Sequence, residues 1–221
     1  MKANSERVPN KNFRDFCGKY LFRWVLDTLL SVEAIDQVVI NTDARDKLAK
    51  LGCVDSDRIL LRDRPIDICG DFVSMNEVIA DDLRHVDADL YIQTHTTNPL
   101  LQRSSIEHAI EQYAMQKRAG KADSLFSVTK VQERLYDAEV TPMNHDPAEL
   151  LRTQDLPSLF IENSNFYLFS KSSFAVTGAR IGAHPTLFET KPYESTDIDT
   201  PDDWEMGEIV VEYLRKKGVV A

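Results

Sequence analysis

Leu90-Tyr91-Ile92-Gln93-Thr94-His95-Thr96-Thr97-Asn98-Pro99, with the helical pattern of Ser104 to Met115 behind it, decides the fold class. The first five residues are short, apolar and β-prone, as a buried strand requires. Thr94 to Asn98 then sets polar side chains in succession at the carboxyl end of that strand, more than a plain turn needs. The same alternation recurs in both directions. Asp36 to Asn41, with Gln37-Val38-Val39-Ile40 at its centre, reads as a strand, and Ala44 to Leu51 as the helix after it. Ser124 to Val131 and Phe166 to Phe169 read as further strands. Tyr20 to Leu30 and Val73 to Leu83 carry apolar residues at helical spacing. A last helix opens at Thr200-Pro201-Asp202-Asp203, with a Thr cap, Pro in the first position and acids in the first turn, and Gly218 stops it. Strands alternating with helices predict an α/β fold: a mainly parallel sheet flanked by helices, Rossmann-like. In such sheets ligands bind beyond the carboxyl ends of the strands.

At 221 residues the chain is sized for one domain with a core that needs no disulfide. Its net charge of -10 disfavours nucleic acid and anionic lipid as partners, so an anionic ligand would need cations gathered in a pocket. Cys17, Cys53 and Cys69 have no CxxC spacing and read as inert thiols of a reducing compartment. No apolar run reaches the ~20 residues of a membrane span. The polar opening does not read as a signal peptide, so the expected location is the cytoplasm. Thr141 to Leu156 is polar and irregular, an insertion suited to a lid or to dimer contacts.

Several segments could carry chemistry. Lys2-Ala3-Asn4-Ser5-Glu6-Arg7-Val8-Pro9-Asn10-Lys11-Asn12 supplies small polar residues and cations in turn-prone sequence, as a phosphate-cradling loop does and as a solvated tail also does. An α/β domain normally feeds such a loop from an apolar strand, and none stands before Met1, so the expectation is that either the fold starts unusually or the sequence begins at an internal methionine and a first strand is missing. Asp43 either caps a helix or faces the crevice. Arg62, Arg64, Asp67 and Asp71 surround Pro65 in a polar loop suited to an anionic ligand, or simply exposed. In an extended Asp197-Ile198-Asp199 the two carboxylates share a face, as Mg²⁺ coordination requires; the other reading is an acidic turn before a helix. The five histidines form no metal-ligand spacing.

Taken in order, these segments resemble the acylneuraminate cytidylyltransferases, the CMP-sialic acid synthetases, over nearly the whole chain. Residues 1–12 fill the register of A-R-x-x-S-K-x-x-x-x-K-N. Gly18-Lys19-Tyr20-Leu21 matches G-K-P-L, Asn41-Thr42-Asp43 matches S-T-D, and Arg64-Pro65 through Asp71 matches R-P-x-x-L-A-x-D. Thr96 to Leu100 matches P-T-S-P-L, Gln154 to Pro157 matches R-Q-D-L-P without its arginine, Asn163 to Tyr167 matches N-G-x-x-Y, and Ser195 to Thr200 matches S-x-D-I-D-T.

The resemblance implies a nucleotidyltransferase fold and transfer of CMP from CTP to a sialic acid-like 2-keto acid sugar, with pyrophosphate leaving. It implies that Lys2, Asn4, Ser5, Lys11 and Asn12, with Arg64, Asp71 and Ser74, bind the nucleotide. By the same resemblance Lys11, Asp197 and Asp199 are catalytic, and Asp197 and Asp199 hold Mg²⁺. The sugar would fall to His95, Thr97, Arg152, Gln154, Glu162, Asn163 and Tyr167. A homodimer is implied, with 127–160 as the excursion that reaches the partner. The departures are Lys2 for Arg, Glu6 for Lys, His95 for a sugar-binding Gln, Leu101 for Arg and Thr153 for the Arg beside Gln154. Their grouping on the sugar side points toward a legionaminate, pseudaminate or deaminated relative as acceptor. Transfer to an eight-carbon keto acid and a non-catalytic nucleotide-binding relative are the competing readings.

Overall fold

The computed structural model describes residues 1–220. The opening loop ends in a 3-10 turn, Lys11–Phe13, followed by a minimal hairpin of β1 (Asp15–Phe16) and β2 (Lys19–Tyr20). α1 (Leu21–Ser31) follows at once and buries Leu21, Phe22, Trp24, Val25, Leu26 and Leu29. β3 (Val38–Thr42) and β4 (Ile59–Asp63) pair in parallel, with α2 (Arg45–Lys50) as their crossover. α3 (Met75–His85) begins at Ser74, whose hydroxyl accepts from the Asn76 amide. β5 (Tyr91–Thr94) leads through the polar loop into α4 (Arg103–Arg118), and β6 (Ser124–Val131) follows. β7 (Leu159–Phe169), α5 (Lys171–Thr177), β8 (Pro185–Glu189) and α6 (Pro201–Lys216) complete the chain.

The larger sheet has the order β5-β7-β6-β8. β6 and β8 are parallel, while β7 runs antiparallel to both β5 and β6, so the sheet is mixed. β7 is an 11-residue strand, far longer than the Phe166 to Phe169 expected. Its first half pairs Val128 with Glu162 and Val131 with Leu159, forming a ribbon that leaves the sheet beyond a bulge at Phe126/Val128. The ends of the 127–160 excursion are therefore sheet, and its irregular part is 132–158.

Alternate residues of β7 face different cores. Phe166 and Leu168 join the cluster of Phe22, Val25 and Leu29 from α1, with Leu125 and Ile106. Tyr167 and Phe169 join Ile79 and Leu83 of α3. A third cluster places Phe16, Leu21, Trp24, Trp204 and Leu214 around Ile198, the residue between the two acids. α6 begins as its sequence requires: the Asp203 amide donates to the Thr200 hydroxyl, and the Asp203 carboxylate accepts from the Thr200 amide.

Candidate active site

The opening loop and the late acidic segment meet. Ile198 is clamped through its backbone, its amide donating to the Thr97 carbonyl at 2.8 Å while its side chain is fully buried. The Lys11 ammonium, held by a 10% exposed side chain, donates to the Ile198 carbonyl and to Asp199 Oδ1, each at 2.8 Å. Arg7 takes the other carboxylate oxygen of Asp199 at 2.7 Å. Residues nearly the whole chain apart thus share one ion triad, and Thr97 ties it to the end of β5.

The two acids differ in environment. Burial alone would raise the Asp199 carboxyl, but the hydrogen bonds and charges of Lys11 and Arg7 hold it below the ordinary carboxylate range. Asp197 keeps an exposed face, yet the protein packed around it strips enough water to push its carboxyl up; the Thr97 hydrogen bond opposes this and the Asp199 charge adds to it. An oxygen donor whose charge is poorly compensated beside a second carboxylate suits a hard divalent cation.

The rest of the opening loop is fixed to the carboxyl end of β3. Asn12 donates to the Lys2 carbonyl at 3.1 Å and accepts from the Thr96 hydroxyl at 2.7 Å. Lys2 pairs with Asp71 at 2.8 Å, and the Ala3 amide donates to Asp43 at 2.6 Å. Asp43 therefore anchors the loop; α2 has no side-chain cap. Arg64 donates to the side chain and the carbonyl of Asn41 at 2.8 and 3.0 Å. Asn4 is exposed and Ser5 half-buried on the same loop. Ser74 caps α3, a local role that accounts for its position without a ligand. Arg62 is spent on the buried Asp81, at 3.0 Å, and on Asp82.

A second polar cluster lies beside the Thr94–Asn98 loop. Arg180 lies 3.6 Å over the Tyr167 ring. It donates to Gln93 at 2.7 Å, to the Tyr167 hydroxyl at 2.9 Å and toward His95 Nε2 at 3.1 Å. Burial first, then the Arg180 charge, lowers His95 to about 4, so its ring is neutral near pH 7. Burial and the hydrogen bond to Glu162 raise Tyr167 to about 12. Glu162, Tyr167 and His95 are therefore brought together, with Thr97 on the same loop as His95. Asn163 is turned instead into a cluster with Thr129, Thr190 and Ser195, at 3.1, 2.8 and 3.0 Å. Arg152 and Gln154 are not brought to the cluster: both are exposed, Arg152 pairs with Asp155 at 2.6 Å, and the Gln154 carbonyl accepts from Gln132. Reading the sequence alone missed Arg180 and Gln93 and left Arg7 out of the site. Arg180 sits in an aperiodic loop after α5, where no pattern marks it.

A family model described as cytidylyltransferase matches residues 1–209. The N-acylneuraminate cytidylyltransferase of Oncorhynchus mykiss is 27% identical over 217 residues, covering 94% of this chain and 48% of that protein. The pseudaminic acid cytidylyltransferase of Campylobacter jejuni is 23% identical over 220 residues, covering 95% of this chain and 92% of that one. The chain thus spans about half the length of the fish relative and nearly all of the bacterial one. Among solved structures, a CMP-2-keto-3-deoxy-manno-octonic acid synthetase complexed with CTP superposes with a TM-score of 0.64, at 12% identity and 96% coverage of both chains.

Proposed function

The chain belongs to the cytidylyltransferase family, and from that premise we propose that it transfers CMP from CTP to a nonulosonic acid, a sialic acid-like 2-keto acid sugar. In that reaction the anomeric hydroxyl forms a bond to the α-phosphorus, the bond to the β-phosphate breaks, and pyrophosphate leaves. The observation that carries the reading is the Lys11 ammonium shared between the Ile198 carbonyl and Asp199. It joins the loop suited to a triphosphate to the acids suited to its counter-ion.

Lys11 and Arg7 give the net acidic protein a local cationic face toward the phosphates, and the loop amides between Lys2 and Asn12 add further donors. Asn12 keeps that loop in register with Thr96. Arg64 and Asp71 border the nucleotide, the latter through Lys2. Asp197 and Asp199 would hold Mg²⁺ together with phosphate oxygens, which when bound offsets the charge of the triphosphate. His95, Thr97, Glu162, Tyr167 and the newly recognised Arg180 line the sugar side. Neutral His95 in place of an amide offers one donor and one acceptor, fixed by Arg180.

The homodimer also stays within this proposal. The 132–158 excursion exposes Val140 (75%), Met143 (64%) and Leu150 (87%), which a second copy could cover. Arg152 and Gln154 lie on the same excursion, so a sugar contact by either would be made in the partner's site. The eight-carbon reading rests on a structural likeness at 12% identity, which carries the fold alone.

Pyrophosphate release from CTP with N-acetylneuraminate, pseudaminate, legionaminate and the eight-carbon acid tests the reading. Release with one of the nine-carbon acids is expected. Release with the eight-carbon acid alone would replace the acceptor class. No release with any acid, and no shift in melting temperature on adding CTP, would make the chain a non-catalytic relative.

A further inference from the structure

Glu194 is a fully buried carboxylate outside both polar clusters of the site. It stands in a 3-10 turn, Pro192–Ser195, that leads straight into Thr196-Asp197-Ile198-Asp199. Its Oε1 accepts from the Ser105 hydroxyl at 2.9 Å and its Oε2 from the Gln102 amide at 3.2 Å. Gln102 is the N-cap of α4, and its own side chain makes no capping bond. Glu194 therefore caps α4 from a distant part of the chain, with its charge at the positive end of the helix dipole.

Ser195 is fastened to the sheet. Its hydroxyl bonds with Thr129 of β6 at 2.7 Å, accepts from Asn163 of β7 at 3.0 Å and bonds with Thr190, just beyond β8, at 3.3 Å. Asn98 donates to the Thr196 carbonyl at 3.4 Å, and the Ile198 amide donates to the Thr97 carbonyl at 2.8 Å. The acidic segment thus runs from a double anchor at Glu194 and Ser195 to the Lys11 ammonium at its far end.

A buried carboxylate contributes little net stability. Burial raises the Glu194 carboxyl, opposed by the bonds from Ser105 and Gln102, and an apolar residue of similar volume often serves folding as well. What two directed hydrogen bonds add, and packing does not, is a fixed position. The chemistry that needs a fixed position begins three residues on, at Asp197.

We propose that Glu194 and Ser195 are positioning residues for the acid pair: by docking the turn before it onto the N-terminus of α4 and onto β6 and β7, they set where Asp197 and Asp199 present their carboxylates to a divalent cation. Glu194 has no exposed surface, so it acts only through the segment it holds. The inference rests on the proposed reaction, in which those acids hold the metal.

The test compares Glu194→Leu and Ser195→Ala with Glu194→Gln and with Tyr113→Phe in the full chain. Gln can accept from the Gln102 amide through its oxygen and donate to the Ser105 hydroxyl through its nitrogen, so it keeps both bonds without the charge. Tyr113→Phe loses a bond to the Asp123 carbonyl about two turns along α4 from Ser105, and so weakens the same helix away from the anchor. Mn²⁺ binding in the presence of CTP, followed by electron paramagnetic resonance, should weaken about 10-fold in the Leu and Ala variants. Amide exchange over 195–199, measured without metal or nucleotide, should speed up about 10-fold in the same two. Their kcat should fall about 10-fold or more while the KM for the acceptor acid holds, because the sugar side is built by other residues. Glu194→Gln should restore most of each property, and Tyr113→Phe should alter none of them. The proposal is overturned if the Leu and Ala variants match Tyr113→Phe in Mn²⁺ affinity and exchange, or if Glu194→Gln is as damaging as Glu194→Leu. In that case the proposed reaction stands, provided the unaltered chain binds Mn²⁺ with CTP. An unaltered chain that binds no Mn²⁺ with CTP overturns the metal assignment and the proposal with it.

Discussion

Lys11 donates at once to a backbone carbonyl and to a carboxylate, and little of its side chain meets solvent. Lys11→Ala should therefore weaken CTP binding about tenfold or more, the scale of one lost charge-assisted contact. Titration by calorimetry would show this, and an unchanged affinity would remove Lys11 from the triphosphate. His95 carries a separate prediction. Its pKa is about 4 when folded against an ordinary 6.5. Between those values the unfolded chain holds more protons, so the contribution of neutral His95 is complete above about 6.5 and is lost as pH falls toward 4. His95→Gln should flatten the melting temperature against pH across that interval; an unaltered slope would mean that the ring titrates normally. Lys11 and Asp199 of the ion triad stood out in the sequence because they lie within ordered motifs, whereas Arg7, its third member, did not. Nor did Arg180, because a side chain that reaches Gln93, His95 and Tyr167 across the fold leaves no local trace.

Asp197 and Asp199 owe their placement to α6. A Cβ at Gly207 would lie 2.7 Å from Ile198 Cδ1 and 3.0 Å from the Phe16 ring, so only glycine lets the helix approach the acidic segment this closely. Gly207→Ala should cost about 1–3 kcal/mol of stability by overpacking. It should also lower turnover more than Thr200→Ala, whose lost cap costs about 1 kcal/mol without moving Ile198. Chemical denaturation with turnover measured on the same samples separates the two, and equal losses of turnover would show that the helix does not position the acids. Elements with strong periodicity, such as α1 and α4, were readable in advance, whereas β4, β8 and α5 were not. β4 is a short apolar run, Ile59-Leu60-Leu61, pressed between charges; β8 opens on Pro185; and α5 has seven residues. The first half of β7 was hidden because it forms a ribbon outside the core, where no burial enforces alternation.

For the molecule as a whole, the β3-β4 pair and the four-stranded sheet bring the carboxyl ends of β3 and β5 to one side, and the loops leaving them meet the opening loop and the acidic segment there. Alternating strands and helices made the α/β architecture readable, but the antiparallel course of β7 depends on pairings far apart in the chain that no local pattern encodes. The central claim is that the opening loop and the late acids act on one nucleotide. Its most direct test is pyrophosphate release from CTP and the preferred nonulosonic acid, in Mg²⁺, by Asp199→Ala beside the unaltered chain, with circular dichroism to verify the fold. The account predicts a folded protein whose turnover falls at least about 100-fold; a folded Asp199→Ala protein with near-normal Mg²⁺-dependent release would contradict it.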